Sequence, residues 1–210
     1  MKVRLLTAIL LSAHLLAACG ATKATSQPAP AEPASPSEPA GNPAETGAPS
    51  EPVEADMPFE LTSTAFLQGE TIPAIYSCDG EDISPPLAWG DPPEGTQSLV
   101  LIMDDPDAPI GTWDHWILFN IPVSTRELPE NMPLDAVNQD PDAIFVGSNS
   151  WGRTAYGGPC PPSGTHRYFF KLYALDTTIS LLPGANKTEL LNRMEGHILA
   201  QTELMGTYTR

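Results

Sequence analysis

Three short, nearly uninterrupted apolar runs constrain this chain most: Ser98-Leu99-Val100-Leu101-Ile102-Met103, Trp116-Ile117-Leu118-Phe119-Asn120-Ile121 and Arg167 to Leu175. A brief continuous apolar run reads as a strand buried on both faces. Pro122 closes the second run, and Ala143-Ile144-Phe145-Val146 is a weaker fourth. The stretch PFELTSTAFLQGETIPAIYSCDG alternates apolar and polar residues and is broken by Gly69 and Pro73, which is also strand chemistry. Helix signals are confined to the end. Asn186 with Glu189 forms a candidate capping box. Leu190, Leu191, Met194, Ile198 and Met205 follow mostly at three- and four-residue spacings, and Gly206 suits a stop. Gly196 would weaken the middle of that helix by about 1 kcal/mol. His197 reads as an ordinary residue of the same helix. The expected class is mainly β: an antiparallel sheet structure with one C-terminal helix. About 150 residues are enough to bury a real core.

The folded part is expected at residues 58–210, because what precedes it cannot pack. Residues 1–18 read as a cleaved leader: Lys2 and Arg4, then an apolar run too short to cross a bilayer comfortably, then Leu16-Ala17-Ala18-Cys19. A cysteine at the cut resembles the bacterial lipoprotein signal, in which the thiol carries acyl chains such as palmitate and becomes the new N-terminus. That implies a membrane anchor at Cys19 in the bacterial cell envelope. Gly20 after the cysteine leans toward the outer membrane. Residues 19–57 are Pro-, Ala- and Glu-rich without an aromatic. Such a segment reads as a disordered, semi-stiff polyproline spacer holding a domain off the membrane.

Charge removes one class of partner. With 26 acidic and 10 basic side chains the formal charge is −16. Nucleic-acid binding needs basic stripes that release counterions, and the chain has none. Cys78 and Cys160 are the thiols left once Cys19 is acylated. An even pair outside the cytoplasm suggests a disulfide, two separately buried cysteines being the alternative.

Chemistry concentrates in three loops at strand ends: Asp104-Asp105-Pro106-Asp107-Ala108-Pro109, Trp113-Asp114-His115-Trp116, and Tyr156 through Tyr168 with its Gly-Gly-Pro-Cys-Pro-Pro core. Taken singly they read as a turn, core packing and a rigid loop. Together SCDGEDISPPLAW, DDPDAP, WDHW and YGGPCPPSGTHRYFF resemble the bacterial branch of the phosphatidylethanolamine-binding family, often described as Raf-kinase-inhibitor-like. The resemblance spans residues 58–210. It implies a central antiparallel β-sheet with a smaller sheet packed on it, a C-terminal helix, and a surface pocket for a small anionic ligand such as phosphate or a phospholipid head group.

Carried over by motif, Asp105 and Asp107 hold the acidic positions, Pro109 ends their loop, and His115 stands beside Trp113 as an aromatic wall. Gly158, Pro159, Pro161 and Pro162 form the rim, and His166 and Tyr168 occupy the His-Arg-Tyr positions. The longer rim here makes ligand preference the feature least transferable from animal members. The chemistry is coherent without the resemblance. Phosphate needs donors, which His115, His166, Tyr168 and rim amides supply. An aspartate behind a histidine would fix its tautomer and favour its charged form.

Rival readings are weaker. No HExxH or Cys-x-x-Cys spacing points to a metal. No G-x-S-x-G elbow is present, and Cys160 lies between prolines, so the chain reads as a non-enzyme without cofactor. The other class of function is inhibition of, or docking to, an envelope protease or another protein of unknown identity.

Overall fold

The computed structural model describes residues 58–133 and 144–210. The expected leader, the acylated Cys19 and the spacer to residue 57 lie outside the described residues, as does Ala143 of the fourth apolar run.

In chain order the strands are β1 (Leu61–Thr62), β2 (Leu87–Trp89), β3 (Ser98–Asp105), β4 (Trp113–Ile121), β5 (Glu127–Leu128), β6 (Phe145–Val146), β7 (Thr165–Leu175) and β8 (Ile198–Thr209); α1 (Lys187–Met194) lies between β7 and β8. They form two antiparallel sheets, β1-β2-β5 and β6-β4-β3-β7-β8. This is the expected mainly β class with a small second sheet.

β3 is buried at every position, which explains its unbroken apolar sequence. Leu99, Leu101 and Met103 pack with Leu61, Leu87 and Leu128 of the small sheet. Val100 and Ile102 pack with Leu190 and Met194 of α1. The large sheet is thus the middle of three layers, covered by the small sheet on one face and by α1 on the other. A strand with two dry faces has no position for a polar residue except at its ends.

Two expectations need correction. The C-terminal helix ends at Met194, eleven residues before Met205. Its start is as expected: the Asn186 side chain accepts from the Glu189 amide at 3.0 Å, and the Glu189 carboxylate accepts from the Asn186 amide at 2.9 Å. Gly196, however, has φ +80°, the left-handed conformation that terminates a helix. Ile198 and Met205 therefore belong to β8, where Leu204, Gly206 and Tyr208 are buried in alternation. Gly206 is no stop: a Cβ there would lie 2.5 Å from Ile72 Cγ1, so glycine lets Ile72 pack flat on the strand. His197 lies in the turn, its Nδ1 2.7 Å from Asp176 Oδ1 at the surface.

The second correction concerns residues 58–80. They contribute little sheet: β1, a parallel bridge from Thr71 to Thr207, and a 3-10 turn at Ala74–Tyr76 begun by Pro73. Proline cannot donate to a ladder and instead pre-sets such a turn.

Candidate functional site

The site stands where β3, β4 and β7 end together. The expectation of three loops is corrected here. Asp104 and Asp105 close β3, Trp113 to Trp116 open β4, and Thr165 to Tyr168 open β7. Strand backbones therefore carry the polar side chains, and they hold them more rigidly than loops would.

Alternation explains which of them meet. On β7, His166, Tyr168 and Phe170 are buried toward the small sheet, while Arg167 and Lys171 turn to the other face. On β3, Asp105 follows Leu101 and Met103 onto the same side as His166. The His166 Nδ1–H donates to Asp105 Oδ2 at 2.7 Å, and both residues are buried. On β4 the register shifts: Met103 pairs with Trp116, but Asp104 pairs with Asp114. His115 is the extra residue of a β-bulge, a device that re-aims a side chain next to a site. It places His115 and Trp116 on the same face. The His115 ring then stands edge-on to Tyr168, with centroids 5.2 Å apart.

His115 is clasped to the rim. Its Nδ1–H donates to the Gly157 carbonyl at 2.7 Å, and the Gly157 amide donates to the His115 carbonyl at 3.1 Å. Burial pushes the His115 pKa below its ordinary value, against the opposing pull of the Gly157 carbonyl and Asp105. A neutral ring with Nδ1 protonated presents a lone pair at Nε2. Neither histidine Nε2 has a hydrogen-bond partner among the described residues.

Both histidines line one cavity of about 290 Å³, together with Asp105, Pro109, Trp113 and Pro162. Of the remaining expected residues, Asp107 is turned away. Its carboxylate takes the Arg167 guanidinium at 2.9 and 2.7 Å, and that hydrogen bond lowers its pKa to about 2. Gly158, Pro159 and Pro161 stand behind the lining. The Gly158 amide donates to Asp82 Oδ1 at 2.6 Å, and the Pro159 carbonyl accepts from the Cys78 amide at 3.1 Å. Tyr168 lies beneath the histidines, fully buried, with no partner for its hydroxyl among the described residues. Burial raises its phenol pKa, so it stays protonated.

Cys78 and Cys160 form a disulfide with Cα atoms 5.4 Å apart. It ties the turn after Tyr76 to the rim, and Cys160 itself lines the cavity.

Trp151, Ala108 and Ile110 also line the cavity and were not singled out from sequence. Trp151 stands edge-on to His115 at 5.0 Å and to Trp113 at 5.4 Å. A lone tryptophan in the Ser-Asn-Ser-Trp-Gly loop was the available signal. A larger hollow of about 450 Å³ under Trp116 and Tyr156 contains no histidine, and Asp82 there is taken up by Gly158. Among the described residues no three His, Cys, Asp or Glu side chains group as metal ligands.

A two-sheet β fold with a strand-end cavity lined by two histidines defines a binding-protein class. The family model for the phosphatidylethanolamine-binding protein matches residues 62–209, and the chain belongs to that family. It is 53% identical over 150 residues to a UPF0098 protein of Methanothermobacter thermautotrophicus, covering 71% of this chain and 98% of that one. A UPF0098 protein of Chlamydia trachomatis is 45% identical over 156 residues, covering 72% of this chain and 99% of that one. Among solved structures, a Chlamydia trachomatis homologue of phosphatidylethanolamine-binding proteins superposes with TM-score 0.66 at 43% identity. Escherichia coli YbcL, a member of the mammalian family of that name, superposes with TM-score 0.67 at 31% identity. Each superposition covers 74% of this chain and 99% of the other.

Proposed function

We propose that this chain is a non-enzymatic, lipid-anchored envelope protein that holds a small anionic group, a phosphate or a phospholipid head group, between His115 and His166. The observation that carries the reading is the pair of buried rings. Each has Nδ1 engaged, by Gly157 or Asp105, each leaves Nε2 without a partner among the described residues, and both rings line one cavity. Rings held in this way keep a fixed orientation toward a ligand.

Among the described residues no lysine or arginine lines this cavity. Attraction for an anion must then come from protons: on the histidine Nε2 atoms, or on the ligand as a P–OH donating to a neutral ring. Asp105 and Asp114 are the carboxylates facing His115, and Asp105 and Asp107 are those near His166. All of them oppose an anion that arrives without a proton. Binding should therefore take up protons and weaken as pH rises.

Two features support a binding rather than a catalytic role. Cys160 is committed to a disulfide and offers no thiolate. No G-x-S-x-G elbow is present. The envelope anchor rests on the leader and Cys19, and mass spectrometry of the mature N-terminus tests it; an unmodified cysteine rejects it.

Titration calorimetry with phosphate and with sulfate between pH 5.5 and 8.5 tests the site. Sulfate does not titrate there, so its profile isolates the histidines. Affinity for both should fall with pH and be lost in His166→Ala. A flat sulfate profile rejects the histidines as donors.

A further inference from the structure

Trp151 is a wall with two sides. On one it closes the histidine cavity against His115 and Trp113. On the other it lines a smaller hollow of about 150 Å³ with Arg153, Gly157 and Cys160. Trp151 and Cys160 line both spaces, so the two are adjacent across a single ridge. The Arg153 guanidinium lies over the Trp151 ring, 5.8 Å from its centroid.

The loop that carries Arg153 is fixed. Buried Asn149 accepts from the amides of Trp151 and Arg153, each at 3.1 Å, and donates to the Ala155 carbonyl at 3.0 Å. The Asn149 amide donates to the Arg153 carbonyl at 2.9 Å.

Among the described residues of so acidic a chain, most basic groups are already taken. Arg126, Arg167, Lys171, Lys187 and Arg210 each hold a carboxylate. Arg153 and Arg193 hold none among the described residues, and Arg193 lies in the last turn of α1. Among the described residues Arg153 is thus a cation without a carboxylate partner beside the candidate pocket.

Resting on the function proposed above, we infer that Arg153 forms a second anion subsite, and that the pocket is built for a small ligand bearing two adjacent anionic groups. The first group sits between the histidines. The second crosses the Trp151–Cys160 ridge to the guanidinium, whose planar donors suit phosphate or carboxylate oxygens. Asp82 also lines the hollow and repels an anion, so the second group must be held by the guanidinium. The two subsites differ in pH behaviour. The guanidinium is charged at every working pH, whereas the histidine contribution fades as pH rises.

Inorganic phosphate and pyrophosphate are the probes, measured by calorimetry at pH 6 and pH 8 on the mature chain. A charge-assisted hydrogen bond predicts about tenfold tighter binding of pyrophosphate. That advantage should persist at pH 8. Arg153→Gln should abolish it and leave phosphate affinity unchanged, while Arg193→Gln alters neither. If wild type binds both probes equally, or Arg153→Gln lowers both alike, the second subsite is overturned and the histidine site stands. If neither probe binds, both readings fall.

Discussion

Asp104 and Asp105 are neighbours at the end of β3, and both are buried, at 1% and 3% exposure. They point to opposite faces of the sheet and meet different partners. Asp104 faces α1 and takes two ammonium groups, Lys171 at 2.9 Å and Lys187 at 2.7 Å, and Lys187 also reaches Asp114 at 2.7 Å. Burial works against the Lys187 charge, but the hydrogen bonds to the two carboxylates outweigh it and raise its pKa. Every strong charge in this network has an opposite within reach. Asp105 faces the small sheet and has one side-chain partner, His166, whose ring lines a cavity. A buried charge that is fully paired fastens one layer to the next. A buried charge paired through a titratable ring, with valence left over at an opening, is equipped to respond to a ligand.

The largest effect expected is on the pocket side. Replacing both Cys78 and Cys160 by alanine frees a loop with a sequence separation of 82. Chain entropy sets an upper figure of about 4 to 5 kcal/mol for that loss. Urea denaturation measures it. Phosphate affinity should fall as well, because the rim that clasps His115 loses its tie. An intact affinity would show that the rim holds its shape without the bridge.

On the other face, Asp104→Ala leaves half-buried Lys171 without its carboxylate and Lys187 with Asp114 alone, and should cost about 1.5 to 3 kcal/mol. Phosphate affinity should survive in the folded fraction. Asp105→Asn should cost only about 1 to 2 kcal/mol, since an imidazole sheds its proton near neutral pH at less cost than an ammonium does. It should lower phosphate affinity about tenfold or more by releasing the ring orientation. If the two substitutions exchange these signatures, the contrast between fastening and responding carboxylates fails.

The smallest effects are in acid. The folded pKa of His115 is depressed below 6.5 by burial. Below about pH 6.5 the unfolded chain therefore binds a proton that the folded chain refuses, and stability declines as pH falls through that window. Asp107, at about 2 against 3.8 unfolded, adds stability above pH 4 that fades as pH drops toward 2. Its pair with Arg167 is largely exposed, so that contribution is slight. Thermal melts in a buffer without phosphate follow both, and His115→Gln should flatten the first. A melt profile unchanged by that substitution would contradict the burial of a neutral ring.

Much of this was legible in sequence. β3, β4 and β7 announce themselves because a strand with two dry faces must be apolar throughout. β8 does not, because its solvent-facing half is polar and its apolar residues happen to follow α1 at helical intervals. Gly196 was available as the break, but a glycine can weaken a helix or end it, and only its left-handed φ distinguishes the two. β1, β2 and β5 are two or three residues long and carry no period at all. In the site, Asp105, His115 and His166 could be picked out by motif. Trp151 carries only the signal of a lone tryptophan in a loop, and Arg153 none, since their placement depends on a loop pinned by Asn149 far along the chain from β4.

The amino-acid sequence by itself determined the class of fold, the candidate disulfide partners and the residue types that gather at the strand ends, because these follow from local hydrophobic pattern and side-chain chemistry. The tertiary structure alone decided which aspartate backs a histidine and which takes lysines, and how a one-residue bulge turns His115 toward the cavity. Those outcomes depend on strand register, and a shift of one residue reverses the face that every side chain presents.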